Sequence, residues 1–272
     1  PLSLSLIADF YQGEERANTM GLSSAMATLS GIIMPLISGW LAVYNWHYAF
    51  GAYLISLPIF VLIWFYLPEP PATQKSKLAL HQLPKMVYGL GVLTFLLMIV
   101  FYLIPTRTAL FMLESGIGNS SQSGLVIAAL NVSAFLIGLR FGALRALLKR
   151  YVNLFGVIML AAGLGMLFFA QNLVVVLLAT FTAGLGIGTL MPTIFVATAN
   201  QVPASLNATA LSIINSSLYL GQFASPLVFA GIASVFHTQG VRYYFLSGAI
   251  LTSLAVLIML VFSLKTKEPA RV

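Results

Sequence analysis

Cysteine is absent from this chain and acids are scarce: there are six Asp and Glu among 272 residues. Without cysteine there is no disulfide framework, no thiol nucleophile and no thiolate metal site. The acids, Asp9, Glu14, Glu15, Glu69, Glu114 and Glu268, all fall in polar gaps or at the ends of apolar runs. No carboxylate is therefore expected in the middle of a run, where proton transfer would use one. The three histidines, His47, His81 and His237, also sit in gaps and suggest no metal or proton-relay cluster. Neither an enzyme nor a metal or other cofactor is expected. Charged residues make up only 7% of the chain, against about 25% in soluble domains, and the mean hydropathy is +0.98. A soluble globular domain is excluded on that balance. The net charge of +7 does not indicate a nucleic-acid partner, because no basic stretch has the folded context of such a module.

What the chain does have is long apolar runs. A helix needs about 20 apolar residues to cross a hydrocarbon core about 30 Å thick. Spans are expected over about Thr19–Val43, Tyr48–Leu67, Met86–Leu113, Ser123–Leu144, Val152–Ala170, Leu173–Thr198, Asn207–Phe236 and Tyr243–Leu264. Asp9–Asn18 reads as a charged loop. Pro1–Ala8 reads as the last turns of a helix whose start is missing, so the chain is expected to be a fragment lacking its N-terminal part. The gaps between runs alternate in charge. Basic gaps hold Arg16; then Lys75, Lys77 and Lys85; then Arg140, Arg145, Lys149 and Arg150; then Lys265, Lys267 and Arg271. The gaps near Tyr44–His47, Glu114–Gln122 and Gln171–Asn172 have no Lys or Arg. Lys and Arg are retained on the cytoplasmic side, which predicts a multi-pass protein with a cytoplasmic C-terminus, and the short loops suggest a cell (inner) membrane. Only Arg107 and Arg242 break the alternation. The segment 68–85, with Pro68, Pro70, Pro71 and Pro84 and three lysines, reads as a cytoplasmic linker. Residues 1–67 lie before it and residues 86–272 after it.

The sequence also repeats. Ser30-Gly31-Ile32-Ile33-Met34-Pro35 and Gly221-Gln222-Phe223-Ala224-Ser225-Pro226 lie 191 residues apart (226 − 35). Each proline helix is followed by an aromatic cluster (Trp46-His47-Tyr48; Tyr243-Tyr244-Phe245), a further span and a Glu-Pro pair (Glu69-Pro70; Glu268-Pro269). About 30 residues per span and loop puts six spans into each repeat. Two parallel six-span units are implied, the first cut short.

Several stretches resemble the major facilitator superfamily. Asp9–Gly21, with Asp9, Arg16 and Gly21, resembles the cytoplasmic loop between the fourth and fifth helices. Gly31–Trp40, with Pro35, Ser38 and Gly39, resembles the fifth-helix motif of drug:proton antiporters, with Met34 where that motif usually has Gly. Trp46–Phe50 resembles the aromatic start of the sixth helix, and Gly184-Leu185-Gly186-Ile187-Gly188 with Pro192 resembles the glycine-rich tenth helix. In Gly138–Arg150, the counterpart of a loop signature, the usual Asp is absent. The resemblance implies an all-α, twelve-helix bundle of which about eight complete transmembrane helices and a remnant are present. It also implies alternating-access efflux of a small organic solute or drug, with a proton as coupling ion, the lipid bilayer as surroundings and a monomeric state. A sugar or metabolite carrier is the alternative within that class, and a fragment inactive alone is another. An integral-membrane enzyme subunit or receptor is the different-class alternative.

Candidate residues follow. Pro35 and Pro226 interrupt backbone hydrogen bonding inside helices, and with Gly39, Gly184 and Gly188 they are candidates for gating or kinking, or for plain close packing. Arg107, 22 residues past Lys85, lies about 33 Å along its helix, toward the outer end. A charge there is a functional candidate, or it snorkels or pairs with Glu114. Asn131, Asn215, Tyr219 and Gln222 are polar residues within spans and cavity candidates; the last three share one helix face. Asp9 and Arg16 are candidates for a cytoplasmic latch.

Overall fold

The computed structural model describes residues 7, 10–11, 13–66, 82–203, 206–235 and 240–265. Every regular element among them is helical, and eight stretches are long and apolar enough to cross a membrane. The chain is an all-α, multi-pass membrane protein. It divides into two compact units. One comprises residues 1–78 and 120–128, the other residues 79–119 and 129–272. The linker read at 68–85 lies mostly outside the described residues.

In the first unit α1 spans Gly13–Tyr44 and runs through Pro35. It begins inside the stretch read as a charged loop, so Arg16 lies on a helix. The backbone hydrogen bonds of a helix continue past the last apolar residue wherever no breaker intervenes, and none occurs between Asn18 and Gly13. Asn45 is extended and its side chain accepts the His47 amide at 2.9 Å, which ends α1 and caps α2 (Trp46–Phe50). A 3-10 segment, Gly51–Ile55, leads into α3 (Ser56–Tyr66). Gly39 of α1 lies against Gly124: a Cβ on Gly39 would meet the Ser120 carbonyl at 2.7 Å, and one on Gly124 would strike the Pro35 carbonyl.

The second unit holds the packed core. The single long helix expected over Met86–Leu113 is two, α4 (Lys85–Phe101) and α5 (Leu103–Glu114). The break has a cause. Pro105 has no N–H for the Phe101 carbonyl, and Thr106 closes the turn by donating both its backbone N–H and its hydroxyl to the Tyr102 carbonyl. α5 stops at a left-handed Gly116 (φ +63), with the Ile117 N–H on the Met112 carbonyl and the Gly116 N–H on the Leu113 carbonyl. This paired termination favours glycine.

The span expected at Ser123–Leu144 divides into α6 (Ser120–Leu139) and a short α7 (Phe141–Leu148). A 3-10 turn then leads into α8 (Val152–Phe169). Asn172 caps α9 (Leu173–Ala199) by accepting the Val175 amide at 3.0 Å. α10 spans Asn207–Val235 and α11 spans Arg242–Lys265.

α8 packs along α9 and α11, and α4 along α10. Lipid tails are as apolar as leucine, so such contacts rely on close van der Waals fit, and small residues permit it. On α8, Gly156 and Gly163 meet Leu190 and Ala183 of α9; on α4, Gly91 meets Ser217 and Ile213 of α10. A Cβ on Gly221 would come within 2.5 Å of the Phe95 carbonyl. One turn on, the Ser225 hydroxyl donates to the Ile99 carbonyl at 2.6 Å. Buried threonines satisfy themselves on the preceding turn, as Thr94 does on Leu90 and Thr198 on Ile194. Leu90, Ile194 and Ile214 join α4, α9 and α10 in one apolar cluster.

Candidate functional site

The two cations that break the charge alternation lie at the same end of the second unit, in different states. Arg242 is engaged by hydrogen bonds. Its guanidinium donates to the Phe168 carbonyl at 2.7 Å and the Ala170 carbonyl at 2.9 Å, and it sits 5.2 Å from the centre of the Phe111 ring. A cation here satisfies carbonyls that the end of α8 leaves without helical partners and complements the helix dipole. Phe111 in turn stacks edge-on against Phe245.

Glu114 does not pair with Arg107. Its carboxylate accepts the Val241 backbone N–H at 3.1 Å, at the start of α11. The distance along the helix made Glu114 a possible partner for Arg107, but the unpaired amide of the α11 terminus takes it instead.

Arg107 is half-buried, with its guanidinium carbon 4.7 Å from the centre of the Tyr244 ring. Its Nε is buried and has no hydrogen-bond partner. Among the described residues the only other such atom is Oδ1 of Asn207, a neutral amide at the start of α10. A ring face offsets part of a cation's desolvation, by about 0.5–2 kcal/mol, but it accepts no N–H in the way a carboxylate does. Arg107 therefore retains donor capacity.

Tyr244 also lines a cleft of about 470 Å³ between α10 and α11, together with Phe229, Ile232, Tyr243, Ser247 and Ile250. That volume suits a small organic molecule. Its walls are apolar except for the two tyrosines and Ser247, whose hydroxyl donates to the Tyr244 carbonyl.

The remaining candidates are dispersed. Asn215 and Tyr219 are exposed on α10, Tyr219 by 58%, whereas Gln222 is half-buried. Asn131 is half-buried and engaged in a contact of its own. Gly184 packs on Leu130 and Ser133, and Gly188 on Ala134 and Ile137. Pro226 leaves the Gln222 carbonyl without its helical donor, as Pro35 does for Gly31; both helices run on for nine residues past their prolines (44 − 35; 235 − 226). Asp9 and the side chain of Arg16 lie outside the described residues. Sequence reasoning passed over Arg242 and Tyr244 as site-forming residues. The signals were present in a cation on the wrong side and a Tyr-Tyr-Phe cluster directly after it.

Eight apolar spans among the described residues, with helices crossing through glycine, define a polytopic helical membrane protein. A model of the Major Facilitator Superfamily matches residues 1–226 and, in a second match, residues 90–272. The chain belongs to that superfamily. A cis,cis-muconate transport protein of Acinetobacter baylyi is 33% identical over 76 residues, which are 28% of this chain and 18% of that relative. Both comparisons point to membrane transport of small molecules and away from enzyme chemistry.

Proposed function

We propose that the chain is part of an alternating-access transporter whose solute is a small organic carboxylate, held by Arg107. In this reading residues 1–67 end an N-terminal six-helix half, 68–85 are the cytoplasmic linker, and 86–272 form the C-terminal half. The protein works as a monomer in a cell inner membrane, with its C-terminus in the cytoplasm. The observation that carries the reading is the buried, unpartnered Nε of Arg107 in an apolar span. A charge kept at such cost is functional by default, and a carboxylate is the acceptor that fits a guanidinium best. Muconate, which the relative is named for transporting, is a carboxylate.

Tyr244 covers Arg107 when the solute is absent and yields to it. Asn215, Tyr219 and Gln222 on α10 and Asn131 on α6 are further candidates for lining the solute's path. Pro35 with Gly39, and Pro226 with Gly184 and Gly188, give the helices that change access. Asp9 and Arg16 latch the cytoplasmic side. Proton-coupled export is the direction that the Gly31–Trp40 resemblance supports.

A second reading, proton-coupled export of amphipathic drugs, is favoured by the apolar walls of the α10–α11 cleft. The two separate in inverted vesicles carrying the full-length protein and an imposed proton gradient. Proton release driven by muconate or aromatic carboxylates, and not by lipophilic cations, is the expected result. Release driven by the cations alone would favour the drug reading, and release by neither would overturn both.

A further inference from the structure

We propose that the segment from Arg140 to Tyr151 is a binding site for anionic phospholipid headgroups. It holds four exposed cations, Arg140, Arg145, Lys149 and Arg150. The sequence has no acid anywhere between Glu114 and Glu268. Glu114 is committed to the Val241 amide at the far end of the unit. Arg242 marks that end by capping α8, whose 18 residues span about 27 Å, while the basic segment precedes the start of α8. Like charges gathered on one short segment repel one another where they come within a Debye length, about 8–10 Å at physiological salt, unless an anion joins them.

The apolar side of α7 narrows the choice of anion. Phe141, Leu144 and Leu148, spaced i, i+3 and i+7, are half-buried, and Leu147 on the same arc is 79% exposed. A soluble anion would neutralise the cations and leave Leu147 in water. An anionic bilayer surface supplies phosphate for the cations and hydrocarbon for the leucine in one place.

The local backbone fits this use. Lys149 is the only non-glycine residue with positive φ among those described (φ 48, ψ −116). A residue with a side chain rarely adopts that conformation, and it persists where surrounding structure fixes it. It turns the chain from α7 toward α8. Arg150 is held beside Tyr151, donating to its hydroxyl at 2.7 Å, an interfacial pairing of charge and aromatic ring. Arg140, Arg145 and Lys149 make no ion pair among the described residues.

The test reconstitutes the protein in nanodiscs of phosphatidylcholine with and without phosphatidylglycerol and counts retained lipids by native mass spectrometry. Retention of phosphatidylglycerol over phosphatidylcholine is expected, lost in molar NaCl and not competed by inorganic phosphate. Arg145→Gln with Arg150→Gln should cut the preference on the order of five-fold per charge removed. The matching lysine pair should keep it, and Lys85→Gln should leave it intact. If the glutamine pair does not fold, a photoreactive label on Ala146→Cys, otherwise wild type, should crosslink phosphatidylglycerol in preference to phosphatidylcholine. No preference in the wild type, equal loss in Lys85→Gln, competition by free phosphate, or label capture without headgroup preference would each overturn the proposal.

Discussion

Two arginines at the same end of one unit illustrate how differently a membrane-embedded cation can be kept. Arg242 is a structural cap, holding the Phe168 and Ala170 carbonyls. Removing it exposes those carbonyls and costs two charge-assisted bonds, each worth roughly 1.5–3 kcal/mol. Arg107 has a ring contact and an unsatisfied Nε. Replacing it with an apolar side chain of similar length removes a half-buried charge that only a ring face compensates, which is often neutral or stabilising. Thermal melting in detergent should therefore move in opposite senses. Arg242→Ala should lower the midpoint clearly, and Arg107→Met should leave it unchanged or raise it. A large destabilisation by Arg107→Met would make Arg107 a packing residue. The sequence alone identified both arginines as exceptions to the charge alternation. It could not separate them, because the partners of Arg242 are carbonyls of a helix 72–74 residues away in the chain.

Helices were the most legible feature, because about 20 apolar residues with polar ends leave few alternatives. The eight spans expected match the eight found among the described residues. The breaks were less legible. Tyr102 interrupts the long α4–α5 span because Pro105 withholds a donor, and the turn of Lys149 separates α7 from α8. A proline in an apolar run does not by itself say whether a helix bends or breaks: α1, α9 and α10 run through Pro35, Pro192 and Pro226 unbroken. Glycines likewise divide by what faces them. On α8, a Cβ at Gly163 would meet the Ala179 carbonyl and the Ala183 Cβ at 2.7 Å, whereas one at Gly165 would meet nothing within 4 Å. Gly163→Ala should destabilise by about 1–3 kcal/mol through overpacking. Gly165→Ala should be neutral or stabilise by up to about 1 kcal/mol through reduced backbone entropy. Equal effects in a denaturation assay would contradict the α8–α9 packing described above.

For the whole molecule, the repeat offset of 191 residues is the feature of the sequence that implies a duplicated unit. Orientation rests on the alternating basic gaps, and the absence of cysteine makes it directly testable. Ala146→Cys should react with a membrane-impermeant maleimide only from the cytoplasmic side, and Gln171→Cys only from the outer side. The reverse pattern would invert the topology. The role proposed for Arg107 was not legible in the sequence, because an arginine's role depends on which neighbours surround it, and Tyr244 lies 137 residues from Arg107 (244 − 107).

The central claim is that Arg107 binds a carboxylate solute during transport. It is tested most directly by counterflow of radiolabelled cis,cis-muconate and aromatic carboxylates in proteoliposomes of the full-length protein, comparing wild type with Arg107→Gln and Arg107→Lys. The account predicts carboxylate exchange by the wild type and a rise in KM of about 10–100-fold in Arg107→Gln, from losing one charge-assisted contact. Arg107→Lys should be partly active because it keeps the charge but loses the fork. Exchange by Arg107→Gln at wild-type KM would contradict the account.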